Sequence, residues 1–254
     1  MNTKKIIFAG LLAFVTMFVF AQSENDFEVE QLADGTLRIT GYNGWGGDIT
    51  IPGKLFGLPV TEIGPRAFES EWIPDTASRA GGPVRPLTTV TIENGIKKIG
   101  SGAFRSTDLR YINFPDTLEE IGERVFAGCN LQELKLPKGL TTIAREAFAA
   151  ALFNCESVLI IPSSVKSIGS YAFGSFDDKR EPKIRELVLE GIFTRDRTGV
   201  PFDLPFLEKI TITANWPDNG LNIGLPDGFV NFYKSQGKKG GAYVKRGPVW
   251  TLSQ

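Results

Sequence analysis

The hexapeptide Ile99-Gly100-Ser101-Gly102-Ala103-Phe104 recurs, exactly or nearly in the form Ile-Gly-x-x-Ala-Phe, at residues 63–68, 121–126, 143–148 and 168–173. Upstream of the copies stand alternating apolar runs that usually end in proline: Ile49-Thr50-Ile51-Pro52, Ile112-Asn113-Phe114-Pro115, Leu134-Lys135-Leu136-Pro137 and Leu159-Ile160-Ile161-Pro162, with Val90-Thr91-Ile92-Glu93 as the variant. The five phenylalanines are spaced by 36, 22, 22 and 25 residues. The unit is therefore 22 residues long, with extra loop at residues 69–86 and a short insertion near residues 149–154. Self-similarity at such a period marks a stacked repeat architecture.

A unit this short cannot enclose a core, because its one strand has a single apolar side and nothing to bury it against. Successive copies must stack into a coil. Each turn lays its strand about 4.8 Å from the last, in parallel, so Val90, Ile112, Leu134, Leu159, Leu187 and Ile210 form one inward ladder. Proline suits the strand end, where its missing N–H interrupts no ladder. Gly64, Gly100, Gly122 and Gly169 are expected to supply a permissive backbone for a tight turn, a place that Ala144 fills once. Phe68, Phe104, Phe126, Phe148 and Phe173 are expected to stack and fill the wide end of the coil.

Two weaker copies, Ile184-Arg185-Glu186-Leu187-Val188-Leu189 and Leu207-Glu208-Lys209-Ile210-Thr211-Ile212, keep the strand and lack the hexapeptide. Terminal repeats shield an open core and so depart from the pattern. Residues 27–32 and 37–40 alternate around a turn and read as a capping hairpin. At the other end, residues 229–234 fit a short helix stopped by Gly237, and residues 242–244 and 249–251 fit a second hairpin. The predicted fold is a mainly β repeat solenoid with a parallel sheet on one face and short helical or 3-10 corners. Its capping hairpin occupies residues 22–48, the solenoid 49–212 with its insertion loop at 69–86, and the C-terminal cap 213–254.

Composition narrows the function. The 254 residues are 42% hydrophobic, enough for a packed core, and 28 basic against 29 acidic residues leave a net charge of -1. No basic excess points to nucleic acid. Histidine is absent, which removes Ser-His-Asp and Cys-His catalysis, His-ligated zinc and a His-based pH switch. Lys4 and Lys5 precede an apolar run at residues 6–20, with a cleavage site expected after Ala21, so residues 1–21 read as a signal peptide. Export leaves no membrane span, and its loss changes the charge from -1 to -3.

The pattern L-x-x-I-x-I-P-x-x-V-x-x-I-G-x-x-A-F, carried with small variations by residues 109–126 and 131–148, resembles the BspA-like leucine-rich repeats of secreted and surface bacterial proteins. The likeness spans residues 27–212, with proline in place of the asparagine of ordinary leucine-rich repeats. It implies a right-handed, leucine-rich-repeat-like coil displayed outside the cell, adhesion-like binding of host or matrix proteins, and no shared catalytic motif.

Residues between the ladder positions point away from the core. They form two files: Thr91, Asn113, Lys135, Ile160, Val188 and Thr211, beside Thr89, Tyr111, Glu133, Val158, Glu186 and Lys209. A parallel sheet is usually covered on both faces. An open one bearing Tyr111, Val158, Ile160 and Val188 is a candidate surface for a protein or cell-surface polymer, with an ordinary mixed surface as the plain alternative. Trp72 and Trp216 are either loop contacts or anchors that pin their loops, and Trp45 and Trp250 are expected to be buried in the caps. Cys129 and Cys155 fall near the ends of successive corners, where they can either form a disulfide after export or stay reduced and buried.

No metal or cofactor is expected. Asp218-Asn219-Gly220 lacks the remaining oxygen ligands of a calcium loop. Adjacent acids such as Glu119-Glu120 and Asp177-Asp178 usually point apart, whereas a hydrolase needs two facing across a cleft. Lys234, Lys238, Lys239, Lys245 and Arg246 crowd the C-terminal cap and read as a solvated face. The expected activity is that of a non-enzymatic, monomeric, exported interaction module. The alternatives are a structural envelope protein without a specific ligand and, more remotely, a carboxylate-dependent hydrolase.

Overall fold

The protein is described by a computed structural model over residues 22–69, 86–174, 182–196, 199–213, 216 and 223–253. The signal segment, Trp72, Asp177-Asp178 and Asp218-Asn219-Gly220 lie outside the described residues. The chain forms a β-solenoid of about six turns, with a single helix among the described residues.

The alternating runs build a front wall. Gly47–Ile51, Leu87–Ile92 and Tyr111–Asn113 pair in parallel, as do Leu159–Ile161, Glu186–Leu189 and Lys209–Ile212. The inward ladder is buried throughout: Val90 and Ile112 pair directly, Leu134 is buried, and Leu159, Leu187 and Ile210 pair in line. The wall is nevertheless divided, since residues 131–137 form no strand. Eight residues separate Phe104 from Ile112 and Phe126 from Leu134, but eleven separate Phe148 from Leu159. The longer corner offsets the following strand, and the Leu134 N–H meets the Ser157 hydroxyl at 3.4 Å.

A second parallel sheet was not foreseen as such. The strand Leu58–Ile63 and four two-residue strands, each ending at the isoleucine of the hexapeptide, run from Ile63 through Ile99, Ile121 and Ile143 to Ile168, with all five side chains buried. Outward neighbours on this side wall form ion pairs between coils, Arg38 to Glu62 at 2.6 Å and Lys98 to Glu120 at 3.0 Å.

The corners revise the expected role of glycine. Gly64, Gly100, Gly122 and Gly169 do not adopt positive φ. They are small because the neighbouring coil leaves no room: a Cβ on Gly100 would lie 2.7 Å from the Pro65 nitrogen, and one on Gly122 would lie 2.8 Å from the Ile99 carbonyl oxygen. The left-handed residue stands two places later, at Arg66, Gly102, Arg124, Glu146 and Tyr171 (φ 57°, 65°, 55°, 58° and 57°). This conformation costs a non-glycine residue about 1 kcal/mol. It reverses the direction of hydrogen bonding. Gly122 N–H donates back to Ile99 O (2.9 Å), whereas Arg124 N–H and Phe126 N–H donate forward to Arg145 O (3.1 Å) and Ala147 O (2.8 Å). Each coil is thereby bonded to the preceding one along the sheet and to the following one at the corner. The expected helical or 3-10 corners are instead consecutive turns, because the left-handed residue interrupts any helical continuation.

The phenylalanine stack forms and extends past both ends of the repeats. Phe68, Phe104, Phe126, Phe148 and Phe173 follow one another at ring centroid separations of 4.9, 5.5, 5.1 and 5.3 Å. Tyr42 and Phe27 continue it at one end and Phe202 at the other. Phe202 takes the corner place within the weak copy, which thus keeps the aromatic while losing the hexapeptide.

At the N-terminal end, Phe27–Gln31 and Leu37–Tyr42 pair antiparallel and continue the side wall. At the C-terminal end, Gly241–Arg246 and Val249–Leu252 add antiparallel to Lys209–Ile212, and the helix Asp227–Ser235 packs Phe229 edge-on against Trp250. Trp250 is buried, but Trp45 is 46% exposed, contrary to expectation.

Candidate functional site

The parallel register places the outward residues as two files across the front wall. Thr89 lies opposite Tyr111 and Thr91 opposite Asn113, whose amide donates to the Thr91 hydroxyl at 3.2 Å. Beyond the gap, Ile160, Val188 and Thr211 pair in line, and Glu186 lies opposite Lys209. The gap itself carries Glu133 and Lys135, both exposed. The structure therefore brings the candidates onto one side of the coil in two groups rather than one ribbon.

The groups differ chemically. The N-terminal one is rich in hydroxyl and amide groups and includes Asp48, which pairs with Thr89 in register and is held below the usual carboxylate range by hydrogen bonds from the Thr89 and Thr88 side chains. The C-terminal one is aliphatic. Val158 and Ile160 are 40% and 43% exposed, and Val188 is half-buried beside them. Ala242 and Val244 of the capping hairpin stand opposite Thr211 and Lys209 and extend this surface, an extension hidden in the sequence because the cap pairs antiparallel. Lys209 binds Glu186 and Lys135 binds Glu133, both at 2.7 Å, so these four charges are matched within the face.

Other candidates leave the site. Trp216 is buried, 4.9 Å edge-on from Phe193, and its backbone N–H lies 3.4 Å from the Tyr233 hydroxyl, so it packs within the C-terminal cap. Cys129 and Cys155 are free and buried, and no disulfide joins them. Cys129 follows Phe126 by three residues but Cys155 follows Phe148 by seven, so the insertion places them out of line. The Cys129 thiol instead donates to the Phe104 carbonyl at 3.1 Å and lies 3.3 Å from the Thr107 hydroxyl. Glu119 and Glu120 pair separately with Lys97 and Lys98, at 3.5 and 3.0 Å.

A family profile described as the BspA type leucine rich repeat region matches residues 84–188 in six copies. Residues 84–188 carry BspA-type leucine-rich repeats. The coil continues beyond the matched span, since the strand Gly47–Ile51 and Phe202 occupy repeat positions on either side. The chain is similar to the leucine rich repeat protein of T. pallidum, with 21% identity and a TM-score of 0.56 over 86% of this chain and 97% of that one. It is also similar to a leucine rich cell surface protein from Faecalibacterium prausnitzii (21% identity, TM-score 0.48, 92% of this chain and 60% of that one). A third similar structure is the pneumococcal vaccine antigen PcpA (23% identity, TM-score 0.43, 67% of this chain and 48% of that one). At these identities the first likeness is one of fold. No curated protein matches the chain.

Among the described residues no helix is long and apolar enough to cross a membrane, and no group of three or more His, Cys, Asp or Glu could hold a metal ion. Sequence reasoning missed a polar recess beside the gap, lined by Gln132, Asn154, Glu156 and Ser157. The 25-residue spacing was its only signal.

Proposed function

We propose that this protein is an exported, non-enzymatic interaction module that docks a partner protein on the front wall of its coil, through the surface centred on Ile160 and Val188. The observation that carries this reading is the exposed aliphatic group of Val158, Ile160 and Val188 on a rigid sheet. Clustered exposed apolar area on a β scaffold favours a protein interface over bare solvent. Because Glu186 and Lys209 are already paired, recognition is by shape and apolar contact rather than net charge. Tyr111, Asn113, Thr91, Glu133 and Lys135 flank that centre as a polar rim. The family to which the repeats belong, and its surface-displayed members, support export and protein binding. Both ends of the coil carry caps, which favours a monomer in solution.

The test is capture of partners from envelope extract by the purified protein, compared with Ile160→Asp, Val188→Asp and a side-wall control, Lys97→Glu. Loss of the captured protein in the first two and retention in the third is the expected result. Equal capture by all three sinks the reading.

A further inference from the structure

We propose that the recess at the gap in the front wall, together with the neighbouring Tyr111 ring, is a binding site for a neutral saccharide. The eleven-residue corner before Leu159 separates two stretches that a regular repeat would pair, leaving a recess of about 560 Å³ lined by Gln132, Asn154, Glu156 and Ser157. Two of these side chains are fixed. Asn154 donates to the Asn130 side chain at 2.8 Å, and the Ser157 hydroxyl lies 3.0 Å from the Cys155 sulfur and 3.4 Å from the Leu134 N–H. The Gln132 amide and Glu156 carboxylate make no hydrogen bond or ion pair among the described residues. They remain available to a ligand.

The lining selects the chemistry. Pockets for drug-like ligands have mostly apolar walls, whereas the four side chains that line this one are all polar. Phosphate, sulfate and carboxylate ligands need cations, which the four lining side chains do not include. A single carboxylate does not make a metal site. An amide that both donates and accepts, a carboxylate that accepts and a hydroxyl that does either are matched to a ligand bearing several adjacent hydroxyls. The aromatic ring supplies the other half of such a site. Gln132 N–H donates to Arg110 O at 2.9 Å, which sets Tyr111 one residue along the adjoining strand, the residue 46% exposed and without a ring partner among the described residues. An exposed ring beside hydrogen-bonding groups accepts the C–H face of a sugar while its hydroxyls turn to the amide and carboxylate.

The test titrates the purified protein, isotopically labelled, with millimolar cello-oligosaccharides and chito-oligosaccharides, and with sulfated oligosaccharides as a charged comparison, followed by NMR and calorimetry. Binding of at least one neutral oligosaccharide is expected, with shifts confined to residues near 111, 132 and 154–157. Gln132→Ala and Glu156→Ala should each weaken it about tenfold without moving the melting temperature. Tyr111→Phe should retain it and Tyr111→Ala lose it. Shifts absent with every neutral sugar, unchanged affinity in the Gln132 and Glu156 variants, or preferential binding of the sulfated ligands overturns the proposal. Ile160→Asp and Val188→Asp should leave the sugar-induced shifts in place, which separates this site from the protein-docking surface.

Discussion

A Cβ added to Gly169 would lie 2.3 Å from the backbone nitrogen of Arg145, one coil away. Ala144 occupies the equivalent corner of the preceding coil and keeps the same backbone hydrogen bond, its N–H to Ile121 O at 2.8 Å. The tolerance is therefore local, set by how closely each pair of coils approaches. Gly169→Ala should lower stability by about 1–3 kcal/mol, whereas Ala144→Gly should cost less than about 1 kcal/mol. Denaturant titration of the two variants checks the order, and a larger loss at position 144 refutes it.

Phe126 stands in mid-stack, between Phe104 at 5.5 Å and Phe148 at 5.1 Å, and is fully buried. Phe126→Ala should cost about 3–5 kcal/mol. Because coils contact only their neighbours, the damage should also uncouple the two halves of the array. A broadened or two-step melting curve in calorimetry is expected, against a single transition for the parent protein.

Glu146 combines a left-handed backbone with a fully buried carboxylate, bound by Arg124 from the adjacent coil and by Arg145 at 2.7 Å. The two arginine side chains are 45% and 49% exposed. Removing the carboxylate leaves cations that water can reach, but removing Arg124 leaves a buried anion short of a partner. Arg124→Met should therefore destabilise more than Glu146→Gln, and adding Glu146→Gln to Arg124→Met should restore part of the loss. A double-mutant cycle by denaturant unfolding measures both. Equal costs for the single variants contradict the argument.

Burial pushes the Cys129 thiol up to about 12, from an ordinary value of 9.0. The folded state therefore holds a proton that the unfolded chain releases, and stability should fall as pH rises above about 9, by up to about 1.4 kcal/mol per unit. Tyr42, pushed by burial to about 12 from 10.0, adds to the fall above pH 10. Denaturation midpoints between pH 8 and pH 11 should decline, less steeply in Cys129→Ala. In the native protein at neutral pH neither cysteine should react with a thiol reagent, and both should react after unfolding.

The 22-residue period by itself determined the coil, its buried ladders and the aromatic stack, because a lone apolar face can be buried only against the next copy of itself. The hexapeptide placed Phe104, Phe126 and Phe148 in register from spacing alone. What Gly122 and Arg124 each contribute was not legible, since one meets the backbone of the preceding coil and the other redirects hydrogen bonds between coils. The same holds for Trp216 and for the pair Cys129 and Cys155, whose surroundings come from distant segments. An insertion can be counted in a sequence, but whether its residues fill a corner or open a recess beside Gln132 depends on how far the next strand is displaced. Only the packed coil decided that, because the displacement is a balance between neighbouring turns and is encoded in neither turn alone.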